Sequence, residues 1–404
     1  MKEISKILQN YLDEHMRNNK KVMFSNTSKE FLSKIVSLMK EGEKSFENAS
    51  IKRTFIASPG FPKGNDFHFI PTVFYTHIEN IEKQCILYSF PIDKRSFKVY
   101  FVIPKNNYIN ENPMNNRIKR IYMWLYVANY YASIKCSTHI DIYLYFTQYE
   151  KNLPTNPGSV ISQEDVNTAF TTTCRTRSEI YVFREEEWFK VLIHETFHNM
   201  GLDFSQFDDE KSKKCILGIF PVKSDVRLYE TYCEMWGEII NLLFISYIST
   251  RPIENLELFT LKIMIKTQKM ITYEKMFSMV QCVKILHHFN MRYTDLYESN
   301  SESVKKRKNY KENTQVLSYY ILKSIFMYNV NEFIEWSNDM NNGSLNFNKT
   351  PLSLEKNIER YCGFIRNHFK DTNYLELIYG IEKWLFREPK KMENQTLRMT
   401  VFEI

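Results

Sequence analysis

Residues 184–204 read REEEWFKVLIHETFHNMGLDF, and the short pattern His194-Glu195-Thr196-Phe197-His198 within them organises the reading of the whole chain. Trp188, Val191, Leu192 and Phe197 supply apolar packing surface, Glu185–Glu187 favour a helix start, and Gly201 favours a helix end. On a helix, residues four apart lie one turn above each other. His194 and His198 therefore present two imidazoles to one point, while Glu195 projects from the adjacent side. That arrangement suits a zinc ion with a carboxylate beside its water. With 9 His and at most 47 Glu in 404 residues, chance supplies such a match roughly 0.02 times, so the pattern carries weight.

A catalytic zinc needs a third protein ligand and one open position. The extended pattern H-E-x-x-H-x-x-G-x-x-H would put a His at position 204, but that residue is Phe204, and Asp203 lies just past the helix-ending Gly. A stronger candidate is residues 228–240, LYETYCEMWGEII, where Glu230, Glu234 and Glu238 line one face of an otherwise apolar helix. Stacked carboxylates among Leu, Trp and Ile are costly to bury without partners. A metal ion and the outer ring nitrogens of its histidines are such partners. The competing expectation is an acidic stripe facing solvent.

On these residues the chain resembles the gluzincin branch of the zincin metallopeptidases, with H-E-x-x-H on one helix and a ligand Glu on the next major helix. Glu230-Thr-Tyr-Cys-Glu234-Met-Trp236 is similar to the E-x-x-A-E-aromatic helix of lethal-factor-like peptidases, with Cys233 in place of Ala. The resemblance implies one zinc ion per chain on His194, His198 and Glu230, with Glu234 supporting the site and Glu195 as catalytic base. Glu234 with Glu238 is the alternative register. It also implies a protein or peptide substrate laid as an added strand against the sheet edge before the metal helix, by position Ser178, Ile180 and Val182. A downstream Tyr or His would stabilise the oxyanion; Tyr319, Tyr320, His287 and His288 are available, and Tyr320 is preferred.

Upstream of the motif, residues 86–90, 97–103, 140–146 and 180–183 read as strands, and 115–133 as a helix. Residues 1–80 read as a partly helical region punctuated by Pro59-Gly60-Phe61-Pro62, and the chain beyond about 225 reads as nearly all helix. The expected fold is α+β: a zincin-like core over 81–250, with a mixed sheet, a backing helix and the metal helix, then a helical subdomain over 251–404.

Composition adds exclusions. Only 10 Gly, and Ala at just five positions, against 30 Phe and 26 Tyr mark an AT-rich coding bias. In this, and in its start without a secretory signal, the chain resembles viral proteins of the large DNA viruses. The same bias accounts for the net charge of +7, so no nucleic-acid partner is expected, and residues 305–308 (KKRK) read as a solvated loop. No apolar run approaches the roughly 20 residues of a membrane span. Seven scattered cysteines without C-x-x-C read as free thiols, hence an intracellular, cytoplasmic protein. Two other functions stay open: an inactive zincin-like structural or nucleic-acid-binding protein, and a zinc carboxypeptidase or other amidase.

Overall fold

The computed structural model describes residues 6–18, 21–57, 70–105, 111–207, 210–387 and 395–403; the turn at Pro59–Pro62 lies outside them. The chain runs α1 (Lys6–Asn18), α2 (Asn26–Glu47), β1 (Lys52–Ala57), α3 (Thr72–Asn80), β2 (Lys83–Ile92), β3 (Arg95–Pro104), α4 (Glu111–Tyr131) and β4 (His139–Thr147). It continues through α5 (Gln163–Val166), β5 (Ala169–Thr171), β6 (Arg177–Arg184), α6 (Trp188–Asn199), α7 (Glu210–Ile219) and α8 (Leu228–Ile248). Helices complete it: α9 (Leu256–His288), α10 (Ser301–Arg307), α11 (Lys323–Tyr328), α12 (Val330–Met340), α13 (Leu354–His368) and α14 (Thr372–Arg387). Among the described residues this is a mixed α/β molecule with one six-stranded sheet and no strand after β6.

Strand order is β1-β2-β3-β4-β6-β5. β1, β2 and β3 form an antiparallel meander, with the β2–β3 hairpin turning at Asp93 in a left-handed conformation (φ 49°). β3, β4 and β6 are parallel, and α4 makes the crossover that a β3–β4 parallel pair requires. β5 closes the far edge antiparallel to β6. On one sheet face, α4 and α6 bury Trp124 against Phe197, rings 6.0 Å apart. Across the other face runs a stacked row, Tyr100, Tyr143, Tyr181 and Phe170, one ring from each of β3, β4, β6 and β5, at 4.5, 4.9 and 4.7 Å spacings. Residues directly opposite in register stack, so part of the aromatic load does sheet-binding work.

One buried apolar cluster extends from Leu8 in α1 to Val401, drawing on all three segments of the expected division. Two features depart from expectation within it. Residues 52–57 form an edge strand; with Phe55 60% exposed and charged neighbours, KRTFIA lacks the alternation that marks a half-buried strand. The basic run at 305–308 is largely helical rather than a loop: Arg307 is buried and donates to the carbonyls of Asp295 (2.6 Å) and Glu298 (2.7 Å), while Lys306 pairs with Asp295 and Glu302.

The chain end threads back into this core. Thr396–Val401 carries Leu397, Thr400 and Val401 fully buried. Its amides find acids of the interior: Met399 and Thr400 N–H donate to Glu187 at 2.7 and 2.6 Å, and Val401 N–H to Glu274 at 2.8 Å. The start of the segment bridges antiparallel to Asn152, with Leu397 N–H donating to Lys151 O at 2.9 Å, and beyond that bridge buried acids take over as backbone partners.

The cysteines are not all thiols. Cys136, in the turn before β4, is disulfide-bonded to Cys174 in the β5–β6 connection, which corrects the expectation and removes two residues from the argument for a reducing compartment. Nothing in a 38-residue separation signals the pairing; it arises because β4 and β6 are adjacent and their leading loops meet beneath Gly201. No helix among the described residues is long and apolar enough to cross a membrane.

Candidate metal centre

Every residue of α6 is buried, so it is a core helix with apolar groups on all sides rather than an amphipathic surface helix. Its C-terminus is a Schellman motif: Leu202 N–H donates to Phe197 O at 2.8 Å and Gly201 N–H to His198 O at 3.1 Å, with Gly201 left-handed at φ 64°. That reversal carries Asp203 back over the last turn. The run Glu185–Glu187 does not serve the helix start as expected. Glu185 pairs with Arg117, Glu186 accepts from Lys151 N–H, and Glu187 binds Lys151 Nζ besides the chain end.

α8 packs directly on α6, and Gly237 sets the approach. A Cβ there would lie 3.3 Å from Lys190 O and 3.6 Å from His194 Cβ. This contact brings the acidic face of α8 to the histidines. His194 Nε2 and His198 Nε2 are 3.1 Å apart, and Glu230 Oε2 stands 3.2 Å from the first and 3.3 Å from the second. The three donor atoms form a nearly equilateral triangle. Behind it, each imidazole is fixed through its other nitrogen: His194 Nδ1 lies 3.3 Å from Glu234 Oε2, and His198 Nδ1 lies 2.5 Å from Asp203 Oδ2.

The three acids of α8 thus have distinct stations, and none lies on a solvent-facing stripe. Glu230 meets the histidines. Glu234 holds His194 and is bound by Lys190 and, at 2.9 Å, by Lys323. Glu238, fully buried, pairs with Lys323 at 2.9 Å. Burial alone would raise the Glu234 carboxyl, but Lys190, Lys323 and His194 bring it well below the ordinary range. Burial likewise opposes ionisation of Glu230, and the two imidazoles overcome it.

Glu195 is 8% exposed and has no hydrogen-bond partner among the described residues. Burial raises its carboxyl above the usual value, against the pull of His194 and His198. It opens onto a cleft of about 420 Å³ that also exposes His194, His198, Glu230 and Tyr319. β5 also lines this cleft, through Ala169, Phe170 and Thr171.

Four expected site residues are placed elsewhere. Tyr320 is buried away from the histidines and donates to Leu397 O at 2.6 Å. Its neighbour Tyr319 faces the centre, its hydroxyl donating to Glu230 Oε2 at 3.1 Å. Both lie in a wide i→i+5 turn, Leu317–Leu322, which shifts the helical register and so decides between adjacent tyrosines. Ser178, Ile180 and Val182 are buried within β6, flanked by β4 and β5, and have no free edge. The edge strand is β5, whose three residues carry no periodicity to detect.

Asn199, absent from the sequence reading, couples this edge to α6. Its amide donates to Thr171 Oγ1 (3.0 Å) and Thr172 O (3.1 Å), its Oδ1 accepts from Ser178 Oγ (3.0 Å), and its carbonyl accepts from Ser137 Oγ (2.6 Å) and Cys174 N–H (3.0 Å). Lys190 and Lys323 were likewise unforeseen, since a buried lysine shows itself only through its partners.

Also lining the cleft, the Glu312 carboxyl is pushed up to about 7 by burial, while Ser224, Tyr310 and Leu317 N–H hydrogen-bond it. Its folded value exceeds its unfolded value of 4.5. Below that lower value both states are protonated and no penalty exists; as pH rises toward 7 the unfolded chain ionises first and stability is lost. Glu312→Gln should therefore raise the melting temperature relative to wild type by a few degrees at pH 8 and by less at pH 5. Equal shifts at both pH values would show that the carboxyl ionises normally.

No family model, curated protein or solved structure matches the chain.

Proposed function

We propose that the protein is a zinc-dependent metallopeptidase of zincin-like architecture, with His194, His198 and Glu230 as the metal ligands. One observation carries this reading: three donor atoms converge with separations of 3.1, 3.2 and 3.3 Å while both outer imidazole nitrogens are held by carboxylates. Tetrahedral zinc with bonds of about 2.0–2.1 Å sets its ligand atoms about 3.3 Å apart, so the donor set fits the ion. Carboxylates on the outer nitrogens fix ring orientation and raise ligand basicity.

Zinc, when bound, supplies Lewis acidity that acidifies water and polarises a carbonyl. The remaining work falls to the chain. Glu195, unengaged and with its carboxyl raised by burial, takes a proton from water and returns it to the leaving amine. Tyr319 brings a hydroxyl to the place where negative charge develops. The β5 edge, paired on one side by β6, offers its other side to an extended peptide, and Asn199 keeps that edge in register with α6.

The test is metal content of the purified protein beside His194→Ala and Glu230→Ala. The expected result is about one zinc per chain in wild type and none retained by either variant. Zinc retained in Glu230→Ala would move the third ligand elsewhere.

A further inference from the structure

Among the described residues lining the cleft, Arg227 is the only lysine or arginine. It precedes Glu230 by one helical turn, and its backbone is clamped at both ends: its N–H donates to Gln315 Oε1 at 3.0 Å and its carbonyl accepts from Ser318 Oγ at 2.9 Å. Both clamps come from the segment that carries Tyr319. The backbone is pinned while the side chain stays 47% exposed.

Its charge is only loosely answered. Asp225 Oδ2 lies 3.2 Å from one guanidinium nitrogen, but Asp225 is 62% exposed and its other oxygen is bound by Lys213 at 2.6 Å. Tyr229 takes a further contact. A guanidinium offers five N–H donors in a planar fork that matches a carboxylate, and most of these remain for a ligand. A neutral peptide in the cleft would desolvate this cation without replacing its water, whereas a peptide carboxylate would meet it with paired charge-assisted bonds.

We propose that Arg227 sets the specificity of the cleft, selecting peptides that carry a carboxylate close to the bond to be cut. The carboxylate is either the terminal α-carboxylate or an Asp or Glu side chain. This rests on the metallopeptidase reading above and names its substrate class.

The test begins with zinc-supplemented wild-type protein and an unbiased peptide library. A cleaved sequence is resynthesised in three forms: unchanged, with its C-terminus amidated, and with its acidic side chains replaced by amides. Binding of each is measured to full-length Glu195→Gln protein, which holds peptides without turnover. One of the two neutralised forms is expected to bind about 10- to 100-fold more weakly. Arg227→Ala in the same background should erase that difference without weakening the neutral form, and Arg227→Lys should keep part of it. Sensitivity to the terminal amide assigns an exopeptidase; sensitivity to the side-chain amides assigns an acid-directed endopeptidase. A preference that survives Arg227→Ala, or cleaved sequences indifferent to carboxylates, overturns the proposal and leaves the peptidase reading standing. A library left uncut overturns both.

Discussion

Glu195→Gln is expected to lower kcat/KM for peptide hydrolysis by about 10²- to 10⁴-fold while leaving zinc content unchanged. The amide is nearly isosteric with the carboxylate, and Glu195 makes no hydrogen bond among the described residues that the substitution would break. What disappears is the group that accepts and returns a proton. Because burial already disfavours the charged carboxylate, its replacement should also leave the melting temperature unchanged or slightly higher. Activity, metal content and thermal unfolding are measured on one preparation, so a folding defect cannot pass for a catalytic one. Activity above a tenth of wild type would remove Glu195 from proton transfer.

Lys323→Met should be the most damaging single change to stability, costing about 3–5 kcal/mol. The ammonium spends its three donors on Glu234 Oε1 (2.9 Å), Glu238 Oε2 (2.9 Å) and Met399 O (2.8 Å), all in the interior. Met fills similar space but leaves Glu238 without its ion-pair partner; the other oxygen of that carboxylate already lacks a hydrogen bond. Glu274 adds a second buried acid close enough that Glu238 raises its carboxyl further, after burial has done so. Denaturant unfolding reads the loss. Adding Glu238→Gln to Lys323→Met should recover part of it, because the stranded charge is then gone; no recovery would locate the damage in packing instead. Since Glu234 holds His194, zinc affinity should fall about 10- to 100-fold in the same variant, measured by chelator competition.

How much of this was legible beforehand depended on whether a constraint was local. His194, Glu195 and His198 share one helical turn, so their geometry follows from spacing alone. Glu230 and Glu234 were legible because carboxylates on an apolar helix require partners; that Glu230 meets both histidines while Glu238 meets Lys323 follows from the packing of α8 on α6. Asp203 sits five residues past His198, yet its role as the histidine's partner depends on the reversal at Gly201. Tyr319 and Tyr320 differ by one residue, and a single wide turn interchanged them. β1 and β5 are stabilised by the strands beside them rather than by their own patterns. The strands of the central sheet, long and rich in β-branched and aromatic residues, fall where expected. Least legible was the chain end, whose partners Glu187, Glu274 and Lys323 lie far off in sequence and declare nothing about one another.

That buried chain end also imposes a calendar on synthesis. Helix α6, Glu230 and Lys323 are made first, and Met399 is added 76 residues after Lys323, a delay of roughly 4–15 s at about 5–20 residues per second. For that interval Glu187 and Glu274 have no chain end to bind, and Lys323 lacks the Met399 carbonyl that completes its set. The interior behind His194, His198 and Glu230 therefore stays incomplete until residues 399–401 are made.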